Sequence, residues 1–251
     1  MVIEIWRNFI KVKDGDGKNN FIRFDKKYFS GTSSFSNRCS TWGHKLIEIS
    51  SVVLSFHEIL LHHSDIELLK GPYWLNDTII SFYFEYLEKV VFNQTNDLLF
   101  VSPEVTQCIK MVQSEEIKIF VEPLSIDTKK YVFFALNDNN SPDMAGGSHW
   151  SLLVYSKMEN CFFHLDSSSG SNHNVAWDFA SHLMSYFSKR ECLQQSNGYD
   201  CGIHVICNTQ RLAEHAQSGG QISSCDMLIK INPSAKRKEI LSIIHNLASA
   251  K

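Results

Sequence analysis

Residues Gly147–Ser168, "GSHWSLLVYSKMENCFFHLDSS", set two short apolar runs on either side of a polar turn. Both runs are aromatic and branched and too short for ordinary helices, so they read as strands. A third such run, "KYVFFALND" at 130–138, precedes them. Three in succession, separated by turn-rich polar stretches, predict neighbouring strands of one sheet. If the turn at "SKMENC" closes an antiparallel hairpin, the start of one strand and the end of the next share one end. His149 stands at that start and Asp166 at that end.

Working outward, "SFHEILLHHSDIELL" (55–69) carries apolar residues at helical spacing and predicts a short amphipathic helix. "GPYWLND" (71–77) reads as a turn, with Asn76 or Asp77 suited to cap the helix "TIISFYFEYLEKVVF". That helix is apolar on most of its circumference and is expected to be buried. "LLFVSPEV" (98–105) predicts a strand ending at Pro103, then a helix through "TQCIKMVQ". An incomplete capping box at Ser114 opens "SEEIKIFVEPL". "NVAWDFASHLMSYFSK" (174–189), "CGIHVICNTQRLAEHA" (201–216) and "KRKEILSIIHNLA" (236–248) predict further helices. Helices, then a cluster of strands, then helices is an α+β order, not a regular βαβ alternation.

The chain has 251 residues and a net charge of −3, which argues against a bulk electrostatic binder of nucleic acid. The charge is uneven: residues 1–51 hold nine Lys/Arg against five Asp/Glu and are rich in turn formers. They read as a basic, poorly ordered N-terminal extension, with residues 52–251 forming the folded domain. Seven cysteines contain no Cys-x-x-Cys pair, which fits neither a disulfide framework nor a zinc ribbon and suggests a reducing compartment. No metal or cofactor is implied. The start lacks the apolar core of a signal peptide, and no apolar run is long enough to span a bilayer. An intracellular protein, cytoplasmic and/or nuclear, monomeric and away from membranes, is expected.

Cys201, in "QQSNGYDCGIHV" (194–205), stands where a polar loop becomes a helix. Unpaired N–H groups and the helix dipole at that end favour a thiolate, and the same groups could receive an oxyanion. Gly202 beside it lets another chain approach closely. Read alone, Cys201 is more simply a packed small hydrophobe, as Cys108, Cys161 and Cys207 are in their apolar segments. A nucleophile also needs a base and an orienter, and His149 with Asp166 supplies both if the hairpin forms. His204, on the same helix as Cys201, has no carboxylate placed to orient it and reads as a helix-packing histidine. Gln195 could offer a side-chain N–H to the attacked carbonyl, although a Gln in a polar loop is ordinarily just solvated.

These residues form a pattern. The chain from about Val52 onward resembles the Ulp/sentrin-specific cysteine proteases: His149-Trp150, an Asp seventeen residues later, and Gln195 with Cys201-Gly202 match that family's motifs in type, order and spacing. "WLND" (74–77) matches a fourth motif. The likeness is greatest to the family's small deneddylase branch, carried by "FVSPEVTQCIK", "FVEPL", "NDNNSPDMAGGSHWSLLVY" and "CFFHLDSSSGSN". The resemblance implies a papain-like/Ulp-type fold: a central mixed sheet flanked by helices, with the nucleophile at a helix N-terminus. It implies Cys201 as nucleophile, His149 as base, Asp166 as orienter and Gln195 in the oxyanion hole. It also implies a glycine-selective channel between Trp74 and Trp150, a substrate lid at 137–147, and substrate contacts at Asp77 and Asn137. The partner it implies is a ubiquitin-like modifier and its conjugates, Nedd-eight (NEDD8) foremost. The same chemistry on SUMO or ubiquitin, acyl transfer to an amine, and a non-catalytic binder of such modifiers stay open as alternatives.

Overall fold

The computed structural model describes residues 52–112, 117–141, 146–183 and 187–250, and the backbone of three short strands nearer the N-terminus. Those strands, Ile3–Trp6 (β1), Phe9–Lys13 (β2) and Asn19–Arg23 (β3), pair antiparallel in that order. The expectation of a poorly ordered extension otherwise lies outside the described residues.

The segment 55–69 corrects the helical reading. Val52–Phe56 (β4) and Ile59–His62 (β5) form an antiparallel hairpin, and the helix starts only at His63, running His63–Lys70 (α1). The hairpin turns at His57, whose φ of 47° lies in the left-handed region. Leu54, Phe56 and Leu61 are buried. Branched residues with alternate burial suit a half-buried hairpin. Residues 60–69 satisfy both periods, and pairing between β4 and β5 decides the first part.

Asp77–Tyr86 (α2) is capped by Asn76, whose side chain accepts from the Ile79 N–H at 3.1 Å. Residues Ile79 to Phe84 are all buried, as the apolar circumference predicts. Leu98–Val101 (β6) ends before Pro103–Met111 (α3), where Ser102 caps and Pro103 opens the helix. Ile117–Leu124 (α4) follows, and the capping box expected at Ser114 lies outside the described residues.

Tyr131–Asn137 (β7), Trp150–Ser156 (β8) and Cys161–Leu165 (β9) are the three predicted strands. His173–Leu183 (α5) is shorter than predicted, because the tail of that segment is an edge strand, Phe187–Arg190 (β10), pairing parallel with β9. Main-chain pairing to an open sheet edge outweighs the local helical period there. Cys201–Gln217 (α6) and Pro233–Ser249 (α7) complete the chain. The sheet order is β10-β9-β8-β7-β6, antiparallel in the centre and parallel at both flanks.

Successive residues of β7 face opposite sides. Tyr131, Phe133 and Ala135 join the core built with α2, α6 and α7. Val132, Phe134 and Leu136 join the one built with α3, α4 and α5. Burial on both faces is why the central strands read as continuous apolar runs. Full burial of one such Phe contributes about 1.5–3 kcal/mol. The result is a mixed sheet flanked by helices, with Cys201 at a helix N-terminus.

Candidate active site

The β8–β9 hairpin pairs Leu152 with Leu165, so His149 and Asp166 emerge at the same end. Their side chains meet: His149 Nε2 lies 2.6 Å from Asp166 Oδ1, both residues being buried. The N–H groups of Ser168 and Asn172 also donate to the carboxylate, at 2.9 Å each. Burial raises the Asp166 pKa, but these three bonds outweigh it and hold the carboxyl down at about 2. For His149, burial favours the neutral ring, yet bonding to Asp166 and to the Cys201 side chain raises its pKa to about 9. The carboxylate is bound to the imidazole, and the imidazole and the thiol line the same groove.

Cys201 is the first residue of α6 and is 1% exposed. The loop before it is fastened from within. Asn197 accepts from the N–H groups of Tyr199 and Asp200 and donates to the Asp200 carboxylate. The close neighbour of Gly202 belongs to the protein's own chain: a Cβ there would stand 2.9 Å from the Leu75 Cβ. Close contact of α6 with the Trp74–Leu75 segment is therefore what brings one groove wall to the thiol. Gly202→Ala is expected to force these apart and cost about 1–3 kcal/mol, read as a lower urea midpoint with unchanged m-value.

A groove of about 520 Å³ runs over the thiol, and its lining includes Trp74, Asp77, Asn137, His149, Trp150 and Cys201. Both tryptophans are pinned by their indole N–H groups: Trp74 donates to the Gly198 carbonyl and Trp150 to that of Leu75, the latter at 3.0 Å. Asp77 is exposed at the start of α2. Asn137 ends β7 directly opposite Trp150. Of the loop 137–147, residues 142–145 lie outside the described residues, and with them part of the expected substrate lid. Its described base is held by Lys110, which donates to the carbonyls of Asn137 and Asn139 at 2.6 Å each. Asp138 accepts from the N–H groups of Ser148 and His149.

Gln195 does not line the groove. Its amide N–H donates to the Asn197 carbonyl at 2.7 Å and its Oε1 accepts from Ser167 at 2.8 Å, so it ties the loop before Cys201 to the residue after Asp166. His204 is buried in α6, and burial pushes its pKa below the usual histidine value. Burial likewise lifts the thiols of Cys108 to about 12 and of Cys192 and Cys207 to about 11. None of the three has an imidazole among the groups that shift it.

Sequence reading passed over Asn172. It is fully buried, and its amide N–H group lies 3.2 Å from both the His149 carbonyl and Ser151 Oγ, while its main chain holds Asp166. An Asn in "SGSN" looks like any turn residue; its proximity to the hairpin end was the available signal. Lys110 was hidden in the same way on a helix read only for its period.

A thiol at a helix N-terminus, sharing a tryptophan-walled groove with a carboxylate-bound imidazole, defines the class as a cysteine peptidase. The chain belongs to the Ulp1 protease family, whose C-terminal catalytic domain matches residues 73–237. Sentrin-specific protease 8 of Rattus norvegicus is 43% identical over 208 residues, spanning 78% of this chain and 95% of the relative. NEDD8-specific protease 1 of Arabidopsis thaliana is 34% identical over 215 residues, spanning 78% of this chain and 94% of the relative. The C-terminal Ulp1 protease domain, solved in complex with Smt3, the yeast ortholog of SUMO, has the same fold. Its TM-score is 0.61 at 21% identity, covering 79% of this chain and 89% of that one. Among the described residues, no helix is long and apolar enough to cross a membrane.

Proposed function

We propose that this enzyme cleaves after the C-terminal Gly-Gly of a ubiquitin-like modifier, NEDD8 foremost, both in processing its precursor and in releasing it from conjugates. The observation that carries the reading is the groove, with Trp74 and Trp150 as walls and Cys201 among its lining residues. Two pinned aromatic walls suit a tail of glycines, which lack Cβ atoms and can lie extended between them.

In the proposed reaction Cys201 Sγ attacks the terminal glycine carbonyl, and the oxyanion is met by N–H groups at the start of α6, with Gln195 nearby. Its bond to Asn197 uses one of the two amide N–H groups, and the other is proposed to face that carbonyl. His149 gives its proton to the leaving amine as the C–N bond breaks, leaving a thioester. Water, deprotonated by His149, then attacks the thioester and frees the modifier and the thiol. Asp166 keeps the ring oriented and its charge balanced throughout. Asp77 and Asn137, which line the groove, are proposed to contact the tail.

Support for NEDD8 over other modifiers comes from the Arabidopsis relative, named a NEDD8-specific protease and aligned over nearly all its length. The triad and groove lie within one chain, which fits a monomer. A reduced cytoplasmic and/or nuclear setting suits an attacking thiol and cysteines without Cys-x-x-Cys spacing. Purified protein incubated with tail-electrophile probes of NEDD8, SUMO and ubiquitin is expected to be labelled at Cys201, fastest by the NEDD8 probe. Labelling by the SUMO probe alone would overturn the modifier assignment.

A further inference from the structure

Arg237 lies on the buried side of α7, far along the chain from Cys201, in a run that reads as a plain charged helix face. Its side chain is only 7% exposed, and it reaches three separate segments. Nη1 donates to the Leu68 carbonyl at 2.7 Å, near the end of α1. Nη2 donates to the carbonyl of Tyr73 at 2.8 Å, to that of Tyr199 at 3.5 Å and to Asp200 Oδ1 at 2.8 Å. Nε lies 3.3 Å from the same carboxylate oxygen. Tyr73 immediately precedes the Trp74 wall, and Asp200 immediately precedes Cys201. The other Asp200 oxygen is held by Asn197, so the carboxylate is bound on both sides.

A buried ion pair is a weak device for stability, because desolvating both charges offsets most of their attraction. A planar guanidinium that fits several acceptors at once is a strong device for fixing geometry, and lysine cannot imitate it. We infer that Arg237 is a positioning residue: it locks the Trp74 segment to the loop carrying Cys201, and so sets the thiol against the tail groove. The inference rests on the reading of Cys201 as nucleophile.

The test compares Arg237→Lys with Lys236→Met; the Lys236 ammonium ties α7 to Tyr83 and Gln210, pairs with Glu239 on the same helix, and lines no part of the groove. Assayed on a NEDD8 precursor well below the melting temperature, Arg237→Lys is expected to lose about tenfold to a hundredfold in kcat with little change in KM. Lys236→Met is expected to melt earlier and keep the wild-type kcat. Wild-type kcat in Arg237→Lys, or a raised KM alone, overturns the inference. If circular dichroism finds Arg237→Lys unfolded, Asp200→Asn, which keeps an acceptor but loses the charge, is judged by the same split. If wild-type protein turns over no modifier, the proposed function has failed separately. Arg237 is then judged by iodoacetamide alkylation of Cys201, slowed in the variant if the inference holds and unchanged if it does not.

Discussion

Cys201→Ala is expected to abolish modifier processing, lowering kcat by roughly five to six orders of magnitude, as loss of a triad nucleophile does elsewhere. Nothing else in the site can replace it. The thiols of Cys108, Cys192 and Cys207 are held up at about 11 to 12 by desolvation and so stay protonated at neutral pH. Removing one Sγ at a position 1% exposed leaves the groove walls in place. Affinity for the intact modifier should therefore survive, making the variant a substrate trap measurable by calorimetry. Retained turnover would remove Cys201 from the mechanism. Equal inactivity of wild type and variant, with both still binding, would favour the non-catalytic binder.

Asp166→Asn is expected to lower kcat by roughly 10²- to 10³-fold, short of a wrong-tautomer loss because the amide oxygen can still accept from His149. What it removes is charge and one acceptor. The new NH₂ must face the Asn172 N–H that now donates to the carboxylate at 2.9 Å, leaving a buried donor unmatched. The pH profile carries the clearer signature. In the wild type, burial works against protonation of His149, but its bonds to Asp166 and Cys201 keep the ring protonated up to about 9. The rate should therefore fall above about pH 9, as the imidazolium loses the proton the leaving amine takes. In Asp166→Asn that basic limb should move down toward the unperturbed 6.5. A basic limb left at its wild-type position would show that the carboxylate does not set the ring's charge.

The same pair makes stability depend on pH. The raised pKa of His149 contributes stability that is full below about 6.5 and lost as pH rises through about 9. The depressed pKa of Asp166 contributes stability that is full above about 3.8 and lost as pH falls through about 2. Both contributions are whole between about 4 and 6.5, so a denaturation series on the wild type is expected to lose stability on each side of that plateau, through about 9 from His149 and through about 2 from Asp166, and Asp166→Asn to lose both dependences.

His149 and Asp166 were legible because a hairpin is local: once the two runs are strands and the turn is short, alternation and register leave the pair little choice of place. The helices α2, α6 and α7 were legible because their period agrees with their packing, and α2 also because Asn76 caps it. The β4–β5 hairpin and β10 were misread because their local period also suits a helix, and pairing with a neighbour settles the matter. Gln195 was placed by spacing alone, and spacing does not say that Asn197 and Ser167 already hold its amide.

Residue types and their order along the chain were thus enough to establish the α+β class, the central strands, the pairing of a histidine with an aspartate, and the junction at which a cysteine begins a helix. Each rests on interactions between near neighbours in sequence. The placing of Cys201 and His149 in one groove, its walling by Trp74 and Trp150, and the reach of Arg237 to Tyr73 and Asp200 depend on contacts between distant segments. Such contacts depend on how helices pack across the sheet. Gly202 against Leu75 is the smallest instance: the glycine was visible in the chain, but its neighbour existed only after folding.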